Sequence, residues 1–236
     1  MEDMIKKAAS VAELAVTDKE LALINQLALK ALTADQVFTF KIALCDNQID
    51  RDFEKFSDDA LDGLAKLYVG KTIIADHKYS SSNQCARIYS AEVVANGEVK
   101  QLITHCYTVR TDSNKDFITE IEAGIKKEVS VGCKVGKAIC SICKTDNKKS
   151  YCEHYAGHTY GEQKCFFTLD EAVDAYEVSF VAVPAQPNAG VTKSYGVDKP
   201  AEKPIEQPNE QAESIVDFEM KSIDAFLFVN KNMEEI

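Results

Sequence analysis

Hydrophobic and polar positions along the chain follow two periods, and the switches between them outline the elements. Thr17 followed by Glu20 makes a capping-box pattern ahead of LALINQLALKAL, which predicts a helix over 18–31. VFTFKIALC (37–45) is β-rich. Ser57, followed by Asp58 and Asp59, opens a second helix running to about Leu67, with its acids where the helix dipole favours them. KTIIAD (71–76) reads as a buried strand, and CARIYSAEVV (85–94) and VKQLITHCYTVR (99–110) alternate as strands. Asn96-Gly97 between them is a strong hairpin signal. A third helix is expected over 114–123, stopping at Gly124. KEVSVGCKV (127–135) and AYEVSFVAV (175–183) follow as strands.

Six or so strands, mostly hairpin-connected, with about three helices among them and no regular βαβ alternation, predict a mainly β, α+β fold. An antiparallel β-barrel or sheet with peripheral helices fits best. No glycine-rich phosphate loop is present.

Proline divides the chain. All five prolines lie between Pro184 and Pro208, and Pro200, Pro204 and Pro208 recur every fourth residue in a polar segment without aromatics. Such a segment buries too little apolar surface to offset its ordering entropy and reads as a linker. Beyond it, Ile215, Phe218, Ile223, Phe226 and Leu227 fall at near-helical spacing, as a short docking helix or one that frays. The expected organisation is an N-terminal helical segment (1–36), a β domain (37–193) carrying a cysteine-rich insert (138–167), a linker (194–213) and an amphipathic tail (214–236).

The formal net charge is −11, of which residues 197–236 contribute −6. That balance disfavours sequence-independent nucleic-acid binding, which needs basic side chains on phosphates. No apolar run approaches the ~20 residues of a membrane span, and the first residues lack the apolar stretch of a signal peptide. A soluble protein made in a cytoplasm is expected, with no membrane or nucleic-acid partner. Eight cysteines without a secretion signal then argue against a disulfide framework and for metal ligation.

Cys140-Ser-Ile-Cys143 is followed by Cys152-Glu-His154, and then by His158 and Cys165. A CxxC turn and a second pair from a nearby hairpin can close one tetrahedral Zn²⁺ site. Taking Cys140, Cys143, Cys152 and His154 as ligands leaves no open position for water, so the ion would be structural, not catalytic. Cys165, and more weakly His158, can replace His154 as fourth ligand. Structural zinc is worth about 10–16 kcal/mol in small peptides, enough to fold a polar insert that has no core of its own. A redox CxxC would need a βαβ setting, which is missing. Residues 126–149 hold seven lysines against two acids, a balance that suits a nucleic-acid-binding ribbon, but no motif for reading bases accompanies them.

Outside the cluster stand His77 and His105. His77 leaves an apolar strand into the polar run KYSSSNQ, placed either to face a groove or simply to make the turn. His105 alternates with Ile103 and Tyr107, as an ordinary strand histidine does. Ser130 shares a strand face with Glu128 and Gly132, and the small Gly132 leaves room for something to approach it. Glu177 opens a very apolar strand, where an unpaired carboxylate would be costly, with Asp174 a nearby alternative.

Together, ADH around His77, EVSVGC around Ser130 and YEVSFVAVPA around Glu177 resemble the prohead (capsid maturation) serine proteases of tailed bacteriophages, which share the fold of the herpesvirus assembly protease. The resemblance covers roughly residues 37–193. Its most specific pieces are KKEVSVGC and the strand ending in VPAQPNAGVTK, and a subset of these proteases carries a zinc-knuckle-like insert. It implies an assemblin-like β-barrel and a serine endopeptidase with Ser130 as nucleophile, His77 as general base and Glu177 or Asp174 as the orienting acid. The loop 185–190 stands where the herpesvirus enzymes carry an arginine for the oxyanion, but contains none. The implied substrates and partners are the phage scaffold and the major capsid protein inside the assembling procapsid in the bacterial cytoplasm. Self-cleavage and a homodimer belong to the same analogy, and the tail 197–236 would recruit the protease into the shell.

Overall fold

In the computed structural model, residues 16–192 are described. The expected linker 194–213, the tail 214–236 and the first fifteen residues lie outside them. The elements, in chain order, are α1 (Asp18–Leu27), β1 (Val37–Asp46), β2 (Glu54–Phe56), α2 (Asp58–Tyr68), β3 (Thr72–Ala75), β4 (Ala86–Asn96), β5 (Val99–Val109), α3 (Lys115–Glu122), β6 (Val129–Cys140), β7 (Thr159–Tyr160), β8 (Gln163–Lys164), β9 (Phe167–Phe180) and β10 (Gly190–Thr192).

Local chemistry accounts for most of these boundaries. The capping box at Thr17 and Glu20 is formed, with both reciprocal hydrogen bonds in place. Helix α1 ends at Leu27, four residues short of the expected boundary. Asn25 turns its amide onto both backbone groups of Leu32, at 2.8 and 3.1 Å, and so ties down an extended return. Ser57 caps α2 by accepting from the Ala60 N–H. The Asn96-Gly97 turn closes β4 onto β5, with Gly97 at φ +63°, a left-handed conformation that a side chain would disfavour.

The main sheet has eight strands, ordered β10-β1-β5-β4-β3-β9-β2, with β6 pairing to β9 off that path. It is mixed rather than antiparallel throughout. Strand β9 is fourteen residues long. One of its edges pairs parallel with β2 at its start and with β3 at its end, while the other edge carries β6 antiparallel along its whole length. Two three-residue strands, β2 and β10, are too short to leave a periodic trace in the sequence. The expected closed barrel is not formed among the described residues. What spans the gap between β6 and β10 is an isolated bridge from Glu128 to Gly190, reinforced by the Val191 N–H on the Lys127 carbonyl at 2.8 Å.

Helix α2 covers the sheet through Leu61, Leu64 and Tyr68, all fully buried with Ile42, Leu44, Ile73 and Ile88. Truncating Leu64 to alanine should lower the unfolding free energy in urea by about 2–5 kcal/mol, the usual penalty for a fully buried leucine. The matching change at exposed Leu29 should stay within about 0.5 kcal/mol.

Candidate active site and metal centre

Strands β3, β9 and β6 lie side by side and bring the three candidate segments together. Register pairs Thr72 with Glu177 on one side of β9, and Gly132 with Glu177 and Ser130 with Ser179 on the other. Beyond β3 the chain turns through Asp76 and His77, at φ +52° and +51°. Two consecutive non-glycine residues in the left-handed region are strained by about 1–3 kcal/mol each, although aspartate and histidine tolerate it better than most. The turn is held by the Asp76 N–H on the Phe180 carbonyl at 3.0 Å and the His77 N–H on Ser179 Oγ at 2.7 Å. Asn83 completes the clamp with its amide on the carbonyls of Ala75 and Lys78.

This turn swings the imidazole back over β9. His77 Nδ1 lies 2.9 Å from Glu177 Oε1. Glu177 is 1% exposed, whereas the histidine side chain is 42% exposed. An ionised carboxylate only accepts, so this contact requires the proton on Nδ1 and leaves Nε2 of the neutral ring as the basic nitrogen. Glu177 Oε2 is buried without a hydrogen-bond partner among the described residues. The Tyr79 hydroxyl stands nearby, and its pKa is raised by partial desolvation and then by the Glu177 charge.

Gly132 makes the placement of this carboxylate possible. A Cβ there would sit 2.4 Å from Glu177 Oε1 and 3.3 Å from the Tyr79 hydroxyl oxygen, so any side chain would displace the acid. Ser130, two residues back on the same face, stands opposite Ser179. Its hydroxyl makes no hydrogen bond to His77. Asp174, the alternative acid, faces Lys71 at 3.4 Å and is half exposed. His105 contacts Glu92 at 3.1 Å, away from the site.

Ser130 also lines a cleft of about 470 Å³ bounded by Ala185, Gln186 and Ala189 of the loop after β9 and by Asp50 and Glu54 near β2. His77 and Glu177 are not among its walls, and Ser130 is common to the two sides. The Arg51 N–H on the Ala185 carbonyl at 3.2 Å and the Arg51 guanidinium on the Pro184 carbonyl hold the loop against the body.

The metal cluster lies at the opposite end of the β6–β9 ribbon, about 33 Å along the strand from Ser130 if β6 runs straight. Cys140, Cys143, Cys152 and His154 offer ligand atoms that all lie within 4.8 Å of one another. This group could hold a metal ion. Three thiolates and an imidazole are a donor set for a soft or borderline cation, and His154 Nδ1 is buried with no other partner. Hydrogen bonds from Thr145, with smaller help from His154 and Cys140, hold the Cys143 thiol down to about 6, which favours the thiolate that ligation needs. Cys165 packs 3.9 Å from Cys140 through sulfur but is not in the four-residue group, and burial raises its thiol to about 11. His158 is not in the group either. The insert is less coreless than expected: Cys140, Cys152 and Cys165 cluster with Ala138 and Phe167.

Sequence reasoning passed over Ser179, Tyr79 and Gln186. Ser179 alternates with Glu177 on one strand face, which was the available signal for its role beside His77. No protein family, curated protein or solved structure matches the chain.

Two outcomes test this geometry. Replacing Ser179 with alanine strands the His77 N–H and should cost about 1–3 kcal/mol, with faster hydrogen exchange at the His77 amide. Elemental analysis should give one metal ion per chain, lost in Cys143→Ala and Cys152→Ala but kept in His158→Ala. Acidification should progressively weaken metal binding as protons compete for the sulfur ligands.

Proposed function

We propose that this chain is a serine endopeptidase of the prohead-maturation type, acting on scaffold or capsid-protein segments and on itself. The observation that carries the proposal is the contact of His77 Nδ1 with a buried carboxylate at 2.9 Å, one strand away from Ser130. In the proposed reaction Ser130 Oγ attacks the scissile carbonyl while His77 Nε2 takes its proton. Glu177 keeps the ring in the Nδ1–H tautomer and stabilises the imidazolium. The proton then passes to the leaving amine, and a water molecule, activated in the same way, hydrolyses the acyl-enzyme. In the proposed reaction a Ser130–His77 hydrogen bond forms when substrate occupies the cleft, as catalytic contacts often form only in the complex.

In this proposal the fold is a relative of the assemblin barrel opened between β6 and β10. The ion at Cys140, Cys143, Cys152 and His154 is structural Zn²⁺, remote from Ser130. Phage scaffold and major capsid protein are the partners, the procapsid in the host cytoplasm is the setting, and a homodimer is the assembly. Among the described residues no helix is long and apolar enough to cross a membrane.

A catalytically inactive, zinc-stabilised assembly module is the second reading, favoured by the missing Ser130–His77 hydrogen bond. Intact mass of the purified chain separates the two. A peptidase loses a C-terminal fragment cut within 197–213, and Ser130→Ala keeps full length while retaining its fold. Full-length mass in both proteins would favour the inert module.

A further inference from the structure

The carboxylate that His77 contacts is only half accounted for. Glu177 Oε1 meets His77 Nδ1 at 2.9 Å, while Oε2 is closed to solvent and accepts no hydrogen bond among the described residues. An ionised carboxylate offers acceptor sites on both oxygens, and a buried one held by a single donor is costly and can still rotate about its last bond. Of the side-chain donors around it, His77 is taken by Oε1. The Tyr68 hydroxyl reaches in from α2, but it donates to the Gly132 carbonyl at 3.2 Å. That leaves the Tyr79 hydroxyl, which comes from the same loop as His77.

Gly132 makes room for that hydroxyl as well as for the acid. A Cβ at Gly132 would lie 2.4 Å from Glu177 Oε1 and 3.3 Å from the Tyr79 hydroxyl oxygen, so both oxygens crowd the space the missing side chain leaves. The backbone on either side of Tyr79 is pinned, with the Asn83 amide on the Lys78 carbonyl at 2.9 Å and the Asn83 N–H on the Ser80 carbonyl at 3.1 Å. The residue itself is 72% exposed, so its ring can swing the hydroxyl onto Oε2 without disturbing the core. We propose that Tyr79 is a positioning residue whose hydroxyl donates to Glu177 Oε2 and so keeps Oε1 facing His77 Nδ1. The inference rests on the peptidase proposal for its purpose but not for its geometry.

A donor in this place gains from the burial of its acceptor. A hydrogen bond to a desolvated carboxylate is charge-assisted and stronger than one between neutral groups. The Tyr79 phenol is held above its ordinary value by partial desolvation and then by the Glu177 charge and hydrogen bond, the direction expected of a proton retained for a carboxylate. The other charged groups near the turn are engaged elsewhere. Exposed Asp76 and Lys78 face each other at 4.0 Å, and Lys71 faces Asp174 at 3.4 Å. Tyr176 of β9 stands beside Tyr79 and serves as its control.

The test uses full-length protein with Ser130→Ala, labelled with ¹⁵N in its histidine rings and observed by NMR at alkaline pH. Ring nitrogen shifts give the ratio of Nδ1–H to Nε2–H forms at His77, whose signals are identified by their loss in His77→Ala. Tyr79→Phe keeps the exposed ring and removes only the hydroxyl, so the fold is preserved, and unmoved signals from His105, His154 and His158 verify it. In Tyr79→Phe the Nδ1–H to Nε2–H ratio should fall about tenfold, as the carboxylate loses its second anchor. Tyr176→Phe should leave the ratio unchanged. A ratio that stays the same in Tyr79→Phe, or that falls equally in Tyr176→Phe, would overturn the inference. Because Ser130 is absent, either result is independent of whether it hydrolyses peptides, which the mass measurement decides.

Discussion

A carboxylate buried to 1% exposure in the middle of a sheet needs a donor, and Glu177 meets His77 Nδ1 at 2.9 Å. That single contact constrains much around it. The histidine reaches the acid because Asp76 and His77 adopt left-handed backbone, and that turn is held by Ser179 and Phe180 of β9, which accept its N–H groups, together with the Asn83 amide. On the other side, Gly132 must lack a side chain for the carboxylate to lie where it does. Strand β9 thus supplies the acid, the acceptor for the histidine's own N–H and the register that sets Ser130 opposite Ser179.

The same ribbon of β6 and β9 carries both chemistries, at opposite ends. Near the turn after β3 it presents the Ser130 hydroxyl and the Glu177 carboxylate, with the His77 imidazole set over it from that turn. At its far end the connection between the strands folds around three cysteines and a histidine. An ion there would fasten the end of a long two-stranded ribbon, where register shifts at Gly132/Cys133 and Lys134/Val135 interrupt the ladder. Separation along the strand keeps that role distinct from any bond-making at Ser130.

What was legible in the sequence is what local chemistry decides. The capping box at Thr17, the Ser57 cap, the Asn96-Gly97 turn and the odd acid at Glu177 are all short-range signals, and each stands in the structure. The parallel pairing of β3 with β9 joins residues 105 positions apart, and nothing in either segment announces its partner. Barrel closure depended on edge contacts at β6 and β10 that reduce to an isolated bridge, so alternating strands alone overstated it. The set Cys140, Cys143, Cys152 and His154 read from the spacing is the set that comes together, and distances were needed only to set aside the alternative Cys165. Gln186 was invisible for another reason: its amide oxygen accepts from the buried Asp46 N–H, a pairing across 140 positions.

The central claim is that Ser130 is a nucleophile activated by the His77–Glu177 pair. Labelling with a fluorophosphonate probe, followed by peptide mapping, tests it most directly. The account predicts a covalent adduct on Ser130 that disappears in His77→Ala and forms markedly more slowly in Glu177→Gln, with both variants folded. An unlabelled wild-type Ser130, or an adduct that forms equally well without His77, would contradict it.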